Sequence, residues 1–298
     1  PKGGSALKRL QTIFFFLILF VVMAYGCSSF SSNGERMIRG MNFDFSGNLP
    51  LTFRVSSQPN GKTLIAYFLY QNVDCYFLGV NQRGHFCTFQ MVPNRYASRT
   101  QGKTDLSLFS FWEDALKNLP DYSEFEEILS TRRLKCEAGW SLHSLMADAF
   151  GNTYILEAGE KDNLITRQEQ SAIALTNFYL YEYLQIPPRK IGSGFERYNS
   201  ILKKISEIGE IANIDDAFDV LETALQTGEV RSELIAVFNA SEPVLYIALD
   251  ADLSKIWKVD FLNETVCDYR GFESPFFLDF SRTHQFSEKE LSPLFEKK

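Results

Sequence analysis

Cys27 directly follows the uncharged, almost wholly apolar run Ile13–Tyr25, and Ala24-Tyr25-Gly26 places small residues three and one before it. That is the pattern of an A-x-A-like cleavage site. A cut after Gly26 would leave Cys27 with a thiol of pKa about 8.5 and a free α-amine of pKa about 7.7–8.0, so one residue would supply both nucleophile and base. Such a centre also needs a group to hold the amine, donors for a tetrahedral oxyanion and a charge to organise the pocket. Asp44 closes the stretch Gly40-Met41-Asn42-Phe43-Asp44, where antiparallel pairing would bring the chain back beside Cys27. Asn177 stands at a strand end in Leu175-Thr176-Asn177-Phe178, and Arg197 falls in the first turn of a helix that starts near Gly194. Each has a plainer alternative: a solvated turn aspartate, a strand-end cap, and a surface salt bridge with Glu196 or Asp44. A cation at a helix start is poorly placed for the helix dipole, which counts toward a role for Arg197.

Cys27 has two rival explanations. It could be an inert thiol, or it could carry a lipid, as in bacterial lipoproteins that place Cys just after a signal run. A lipobox has a Leu-like residue three before the Cys and a small one two before; Ala24 and Tyr25 suit ordinary signal peptidase better. Lys2, Lys8 and Arg9 give the segment a basic start, and its apolar run is short of the roughly 20 residues that span a bilayer. The expectation is a cleavable leader over 1–26 and a single domain over 27–298, with signal peptidase as maturation partner. The protein would be exported: secreted, periplasmic or cell-surface. It would be membrane-anchored only if the leader is kept or Cys27 is lipidated. The alternative is a lipid-anchored cell-surface binding protein without hydrolysis.

A formal charge of −7 with no basic stripe argues against a nucleic-acid partner. Three His and five scattered Cys contain no C-x-x-C or H-x-x-x-H spacing, so no metal and no cofactor is expected. His85, His143 and His284 stand apart from Asp or Ser motifs and read as structural. Cys75 and Cys87 flank the turn Asn81-Gln82-Arg83-Gly84. A regular hairpin would pair Cys87 with Leu78 and Cys75 with Gln90, placing the sulfurs on opposite faces with no bond between them.

The elements that must position these residues follow from periodicity. Arg36–Phe43, Leu51–Val55, Lys62–Leu69, Val73–Val80 and His85–Val92 read as strands, separated by Gly, Pro and Asn. Phe111–Leu119 reads as a helix, and Asp121 with Glu124 as a capping box opening a second, to about Arg132. Ser141–Ala149 and Asn152–Ala158 form a hairpin about Phe150-Gly151, with Asp148 in its turn. Asn163–Thr166 and Ala172–Thr176 follow as strands. Ser193 with Glu196 opens a helix to about Ile208. Asp215–Gln226 is a surface helix with Ala217, Phe218, Leu221 and Leu225 on one face. Glu233–Phe238, Pro243–Leu249 and Lys255–Asp260 are strands, and the tail from Gly271 has no clear period. Hairpins rather than β-α-β alternation favour α+β layering with antiparallel sheets.

CSSF, GMNFDF, SLHSLMADAFGNTYILEAG, ALTNF and GFERY occur in an order that resembles the choloylglycine hydrolase family. That family groups bile salt hydrolases, penicillin V acylases and related linear-amide hydrolases among the N-terminal nucleophile hydrolases. The resemblance covers most of the chain from Cys27 to about Asp252. It implies a four-layer αββα sandwich with two stacked antiparallel sheets, and a small-molecule N-acyl amide as substrate. Hydrolysis of its linear C–N bond would pass through a thioester, whereas acyl transfer and the oligomeric state, including a homo-oligomer, are left open. By the same resemblance Cys27 is the nucleophile and its amine the base. Asp44 is the carboxylate that holds the amine, Asn177 the amide at the oxyanion, and Arg197 the active-site arginine. Two positions depart. Met41 stands where the family often has Arg, with Arg39 two residues earlier. The further oxyanion contact falls on Met91, with Asn94 three residues on, and a Met side chain cannot donate to an oxyanion.

Overall fold

The computed structural model describes residues 26–46, 50–58, 61–70, 72–93, 102–136, 141–185 and 194–291. Two antiparallel sheets dominate. The first runs β13 (Ala172–Leu175), β1 (Ser28–Asn33), β2 (Met37–Phe45), β14 (Arg231–Asn239), β15 (Val244–Leu249), β16 (Ile256–Asp260), β17 (Thr265–Arg270), β18 (Phe277–Asp279). The second runs β12 (Asn163–Arg167), β11 (Thr153–Ala158), β10 (Leu142–Ala147), β6 (Phe86–Thr88), β5 (Val73–Asn81), β4 (Gly61–Tyr70), β3 (Leu51–Gln58), β19 (Gln285–Ser287). A short β7 (Gln90–Met91) also pairs with β10, and β8 (Thr104–Ser107) with β9 (Arg132–Lys135) makes a separate parallel pair.

Side-chain alternation sorts each strand into two faces. On β1, Ser31 Oγ meets Thr153 Oγ1 of the second sheet at 2.9 Å, so that face looks between the sheets. On β2, Asn42 Nδ2 donates to Leu221 O at 2.9 Å, so the opposite face looks toward helices. Those helices are α4 (Phe195–Ile208) and α5 (Ile214–Glu222), which bury Ile201, Ile205, Phe218 and Leu221 on the first sheet. On the far side, α1 (Leu108–Lys117) and α2 (Phe125–Thr131) pack Phe111, Trp112 and Phe125 against Met146, Tyr154 and Leu156 of the second sheet. The order is helices, sheet, sheet, helices: the expected αββα sandwich. Two short helices, α3 (Leu180–Gln185) and α6 (Glu288–Leu291), complete the described elements.

Several local readings change. Ser28–Asn33, β17, α3 and the β8–β9 pair form although nothing in the periodicity marked them, and the tail supplies β18, β19 and α6. The expected capping box does not form: Asp121 Oδ1 instead accepts from the Ser123 N–H at 2.8 Å, closing a turn, and α2 starts without a side-chain cap. Cys87 sits opposite Gly79, not Leu78, because the turn closes between Asn81 and His85, and Gln90 leaves the hairpin to pair with His143, so that Cys75 is paired only with Phe68 of β4. No disulfide joins the five cysteines. Asp148 is a turn residue as expected, accepting from the Phe150 and Asn152 N–H groups. α5 stops at Glu222, four residues short of Gln226, which frees Gln226 for the site below. Ser193 and the leader to Tyr25 lie outside the described residues.

Gly40 explains why the β1–β2 pair tolerates a large aromatic. It lies opposite Phe30, and a Cβ at Gly40 would come within 2.3 Å of the Phe30 ring. Gly40→Ala should therefore destabilise by about 1–3 kcal/mol, as overpacking does. Urea unfolding would show this as a lower midpoint, whereas an unchanged midpoint would contradict the packing of Phe30 across Gly40.

Candidate active site

The β1–β2 pairing places Cys27 against the end of β2. Ser28 lies opposite Asn42, so the next step of the chain brings Gly26 and Cys27 alongside Asp44. The approach is tight: a Cβ at Gly26 would fall 2.5 Å from Asp44 O and 2.6 Å from Asp44 Cβ. Only glycine fits there. Cys27 itself has φ +34°, in the left-handed region that a Cβ disfavours. The Gly26–Cys27 junction is thus both crowded and locally strained.

Arg197 reaches this junction from the first turn of α4. Its Nη1 donates to Cys27 O at 2.8 Å, Ser28 Oγ at 2.7 Å and Gly26 O at 3.2 Å, and lies 3.4 Å from Asp44 Oδ2. Its Nη2 donates to Asn177 Oδ1 at 2.7 Å. That bond fixes the amide, whose Nδ2 donates to Met91 O at 2.8 Å. An amide nitrogen carries two hydrogens, so one N–H of Asn177 remains for an oxyanion. The structure therefore brings Cys27, Asp44, Asn177 and Arg197 together from four separate stretches of chain.

Asp44 is held by groups that no motif marked. A register shift in β14 between Ser232 and Leu234 sets Ser232 directly opposite Asp44. Ser232 Oγ donates to Asp44 Oδ1 at 2.5 Å and accepts from the Gln226 N–H at 3.0 Å, and Gln226 Nε2 donates to Asp44 Oδ2 at 2.7 Å. Gln226, Ser232 and Ser28 are contacts of the candidate site missed from the sequence. The only signal was the polar run Thr223–Ser232 between a helix and a strand, which is an ordinary loop composition.

Met91 contributes its carbonyl, which anchors Asn177, and not a side-chain donor. Asn94 lies outside the described residues. Met41 is fully buried opposite Ser29. Arg39 does not replace the missing arginine. It donates to Asn33 Oδ1 at 2.8 Å and Asp148 O at 3.2 Å at the far end of β1, about 20 Å along the strand from Cys27.

Burial pushes the Cys27 thiol up to about 12, and the Asp44 carboxylate adds to the rise; the Asp44 backbone N–H and Arg197 oppose it. Burial also holds Asp44 above the usual carboxylate range, against Arg197, Ser232 and Gln226, and lowers Arg197. With the Gly26–Cys27 bond intact the thiol is thus protonated at neutral pH.

No protein-family model matches the chain, and no curated protein matches it in sequence. Solved structures do match. A mutant conjugated bile acid hydrolase from Clostridium perfringens has a TM-score of 0.61 at 12% identity, over 86% of this chain and 98% of its own. A penicillin V acylase from Agrobacterium tumefaciens has a TM-score of 0.55 at 15% identity, over 79% and 92%. An ortholog of N-acylethanolamine-hydrolyzing acid amidase from Caenorhabditis elegans has a TM-score of 0.50 at 11% identity, over 72% and 93%. The chain has the fold of N-terminal nucleophile hydrolases. It is the fold shared by the bile acid hydrolase, the penicillin V acylase and the acid amidase ortholog.

The thiol can be tested directly. Raising a thiol from 9.0 to about 12 lowers its thiolate fraction about 10³-fold at pH 8. Iodoacetamide should label Cys27 at about that disadvantage in the folded uncut chain relative to the same chain unfolded in urea, read by peptide mass spectrometry. Equal rates would contradict the burial of the thiol.

Proposed function

We propose that the protein is an exported hydrolase of linear, non-peptide amides whose nucleophile is Cys27, freed as the first residue by a cut after Gly26. The observation that carries this reading is the convergence of Asp44, Asn177 and Arg197 on the Gly26–Cys27 junction. Once the cut is made, the new amine occupies the place of the former peptide nitrogen beside Asp44. The amine takes the thiol proton, and the thiolate attacks the amide carbonyl. The second N–H of Asn177 stabilises the oxyanion while Arg197 holds that amide in place. Collapse expels the substrate's amine, protonated by the ammonium, and leaves a thioester. Water, deprotonated by the same amine, then releases the acid.

The acyl side of the site is aromatic. On the face of β2 turned between the sheets, Phe43 stacks on Phe77 with ring centroids 3.9 Å apart, and Phe45 and Phe68 lie 6.0 and 5.6 Å from Phe43. Phe45 is half-buried, so the cluster has an open edge suited to an apolar N-acyl group. The bile acid hydrolase, penicillin V acylase and acid amidase with the same fold support amides of small molecules as the substrate class. A lipid anchor on Cys27 fits less well, because the residue is only 7% exposed.

Cys27→Ala, assayed with N-acyl amines, N-acyl amino acids and penicillin V, should lose at least about 10³-fold in kcat. Asn177→Ala should lose about 10²–10³-fold. Undiminished turnover by Cys27→Ala would refute the assigned nucleophile. Arg197→Gln removes the positive charge that favours ionised Asp44, so the acid limb of the pH–rate profile should move up by about one unit or more. A limb that stays put would show that Arg197 does not set the charge of Asp44.

A further inference from the structure

Behind the Asn177 segment lies a buried pair that the mechanism above does not use. His143 on β10 and Glu157 on β11 are direct cross-strand partners, both fully buried, with Nδ1 and Oε1 3.0 Å apart. Glu157 spends its remaining acceptors on the chain just past Asn177. Its Oε1 accepts from the Leu180 N–H at 3.0 Å and its Oε2 from the Tyr181 N–H at 2.9 Å, at the opening of α3. A carboxylate that takes two backbone N–H groups can accept from imidazole as well, so Nδ1 carries the donated proton. His143 Nε2 then has no partner among the described residues, although it is buried. A buried polar atom left unmatched is costly, so the pair is not explained by stability alone.

The geometry ties the pair to the segment that carries Asn177. On its other side His143 is paired with Gln90, whose carboxamide accepts from Ser29 Oγ and donates to Leu175 O at 3.2 Å once its amide is oriented to suit both. Asn177 is tied to Met91 O, and Tyr179 Oη donates to Pro93 O at 3.2 Å. The segment from Leu175 to Tyr181 is thus pinned at intervals to β7, to Pro93 just past it and to β11, and Glu157 is its last pin. A fully buried acid is costly to desolvate unless its oxygens are matched, and His143 completes the match. Removing either would loosen the segment that aims the Asn177 amide, and displacement of a reacting group by about 1 Å can cost about 10²-fold in rate.

We infer that His143 and Glu157 are positioning residues for amide hydrolysis, a buried clamp that acts through the Asn177 segment; this rests on the function proposed above. Neither residue touches the substrate. In a chain starting at Cys27, Glu157→Gln and His143→Leu should each lower kcat about 10–100-fold while KM stays within about twofold. Because the clamp acts through Asn177, adding Glu157→Gln to Asn177→Ala should cause little further loss. His143→Asn, which keeps an N–H near the place of Nδ1, should restore most of the rate lost in His143→Leu. Amide exchange at Leu180 and Tyr181 should quicken in Glu157→Gln without a general rise elsewhere. Should Glu157→Gln fail to fold, the contrast between His143→Leu and His143→Asn tests the same point. Losses that multiply with Asn177→Ala, an unchanged kcat, or a His143→Asn no better than His143→Leu would each overturn the clamp. If Cys27→Ala is inactive while Glu157→Gln is fully active, only this inference fails. If Cys27→Ala is active, the proposed function itself has failed.

Discussion

A part-buried guanidinium organises this site. Arg197 touches both carbonyls of the Gly26–Cys27 junction, the hydroxyl of Ser28, the amide of Asn177 and the carboxylate of Asp44. Its charge offsets that of Asp44, whose side chain is fully enclosed. A buried ion pair gains little over a well-packed apolar pair, yet removing one partner costs about 3–5 kcal/mol because the other charge is stranded. The same fork ties three strands and one helix to a common point. Arginine suits that task where lysine would not, because a planar set of donors can serve several fixed acceptors at once.

Around that point the uncut chain holds the groups of the proposed centre without a free amine. Gly26 is bonded to the Cys27 nitrogen and packs tightly against Asp44, and burial keeps the thiol protonated. One cleavage would change the chemistry of the junction. It would supply a base, and it would replace a neutral peptide group beside Asp44 with an amine that can carry positive charge. Strain at Cys27 and the tight seat of Gly26 are consistent with a junction shaped for chemistry and not for stability.

The layers were readable because they rest on patterns that any sheet or helix must show. Alternation marked most of the strands in both sheets, and the stripe of Ala217, Phe218 and Leu221 marked the face that α5 buries. Cys27, Asp44, Asn177 and Arg197 could be singled out because their types and places suit an N-terminal nucleophile. Their partners could not. Ser232 meets Asp44 only through a bulge, and Gln226 only because α5 ends early; both depend on tertiary pairing. His143 and Glu157 were invisible for the same reason, since cross-strand register decides their contact. β1 was missed because Ser28-Ser29 and Ser31-Ser32 carry little strand propensity, and its place between β13 and β2 overrides that.

The central claim is that Cys27, as first residue, carries the acyl group during turnover. Intact-mass and peptide mass spectrometry of the mature protein, quenched in acid during reaction with an N-acyl amide, measures this directly. The account predicts an N-terminus at Cys27 and an added acyl mass on the Cys27 peptide that hydroxylamine removes. Turnover by protein that retains the Gly26–Cys27 bond, or an acyl group found on another residue, would contradict it.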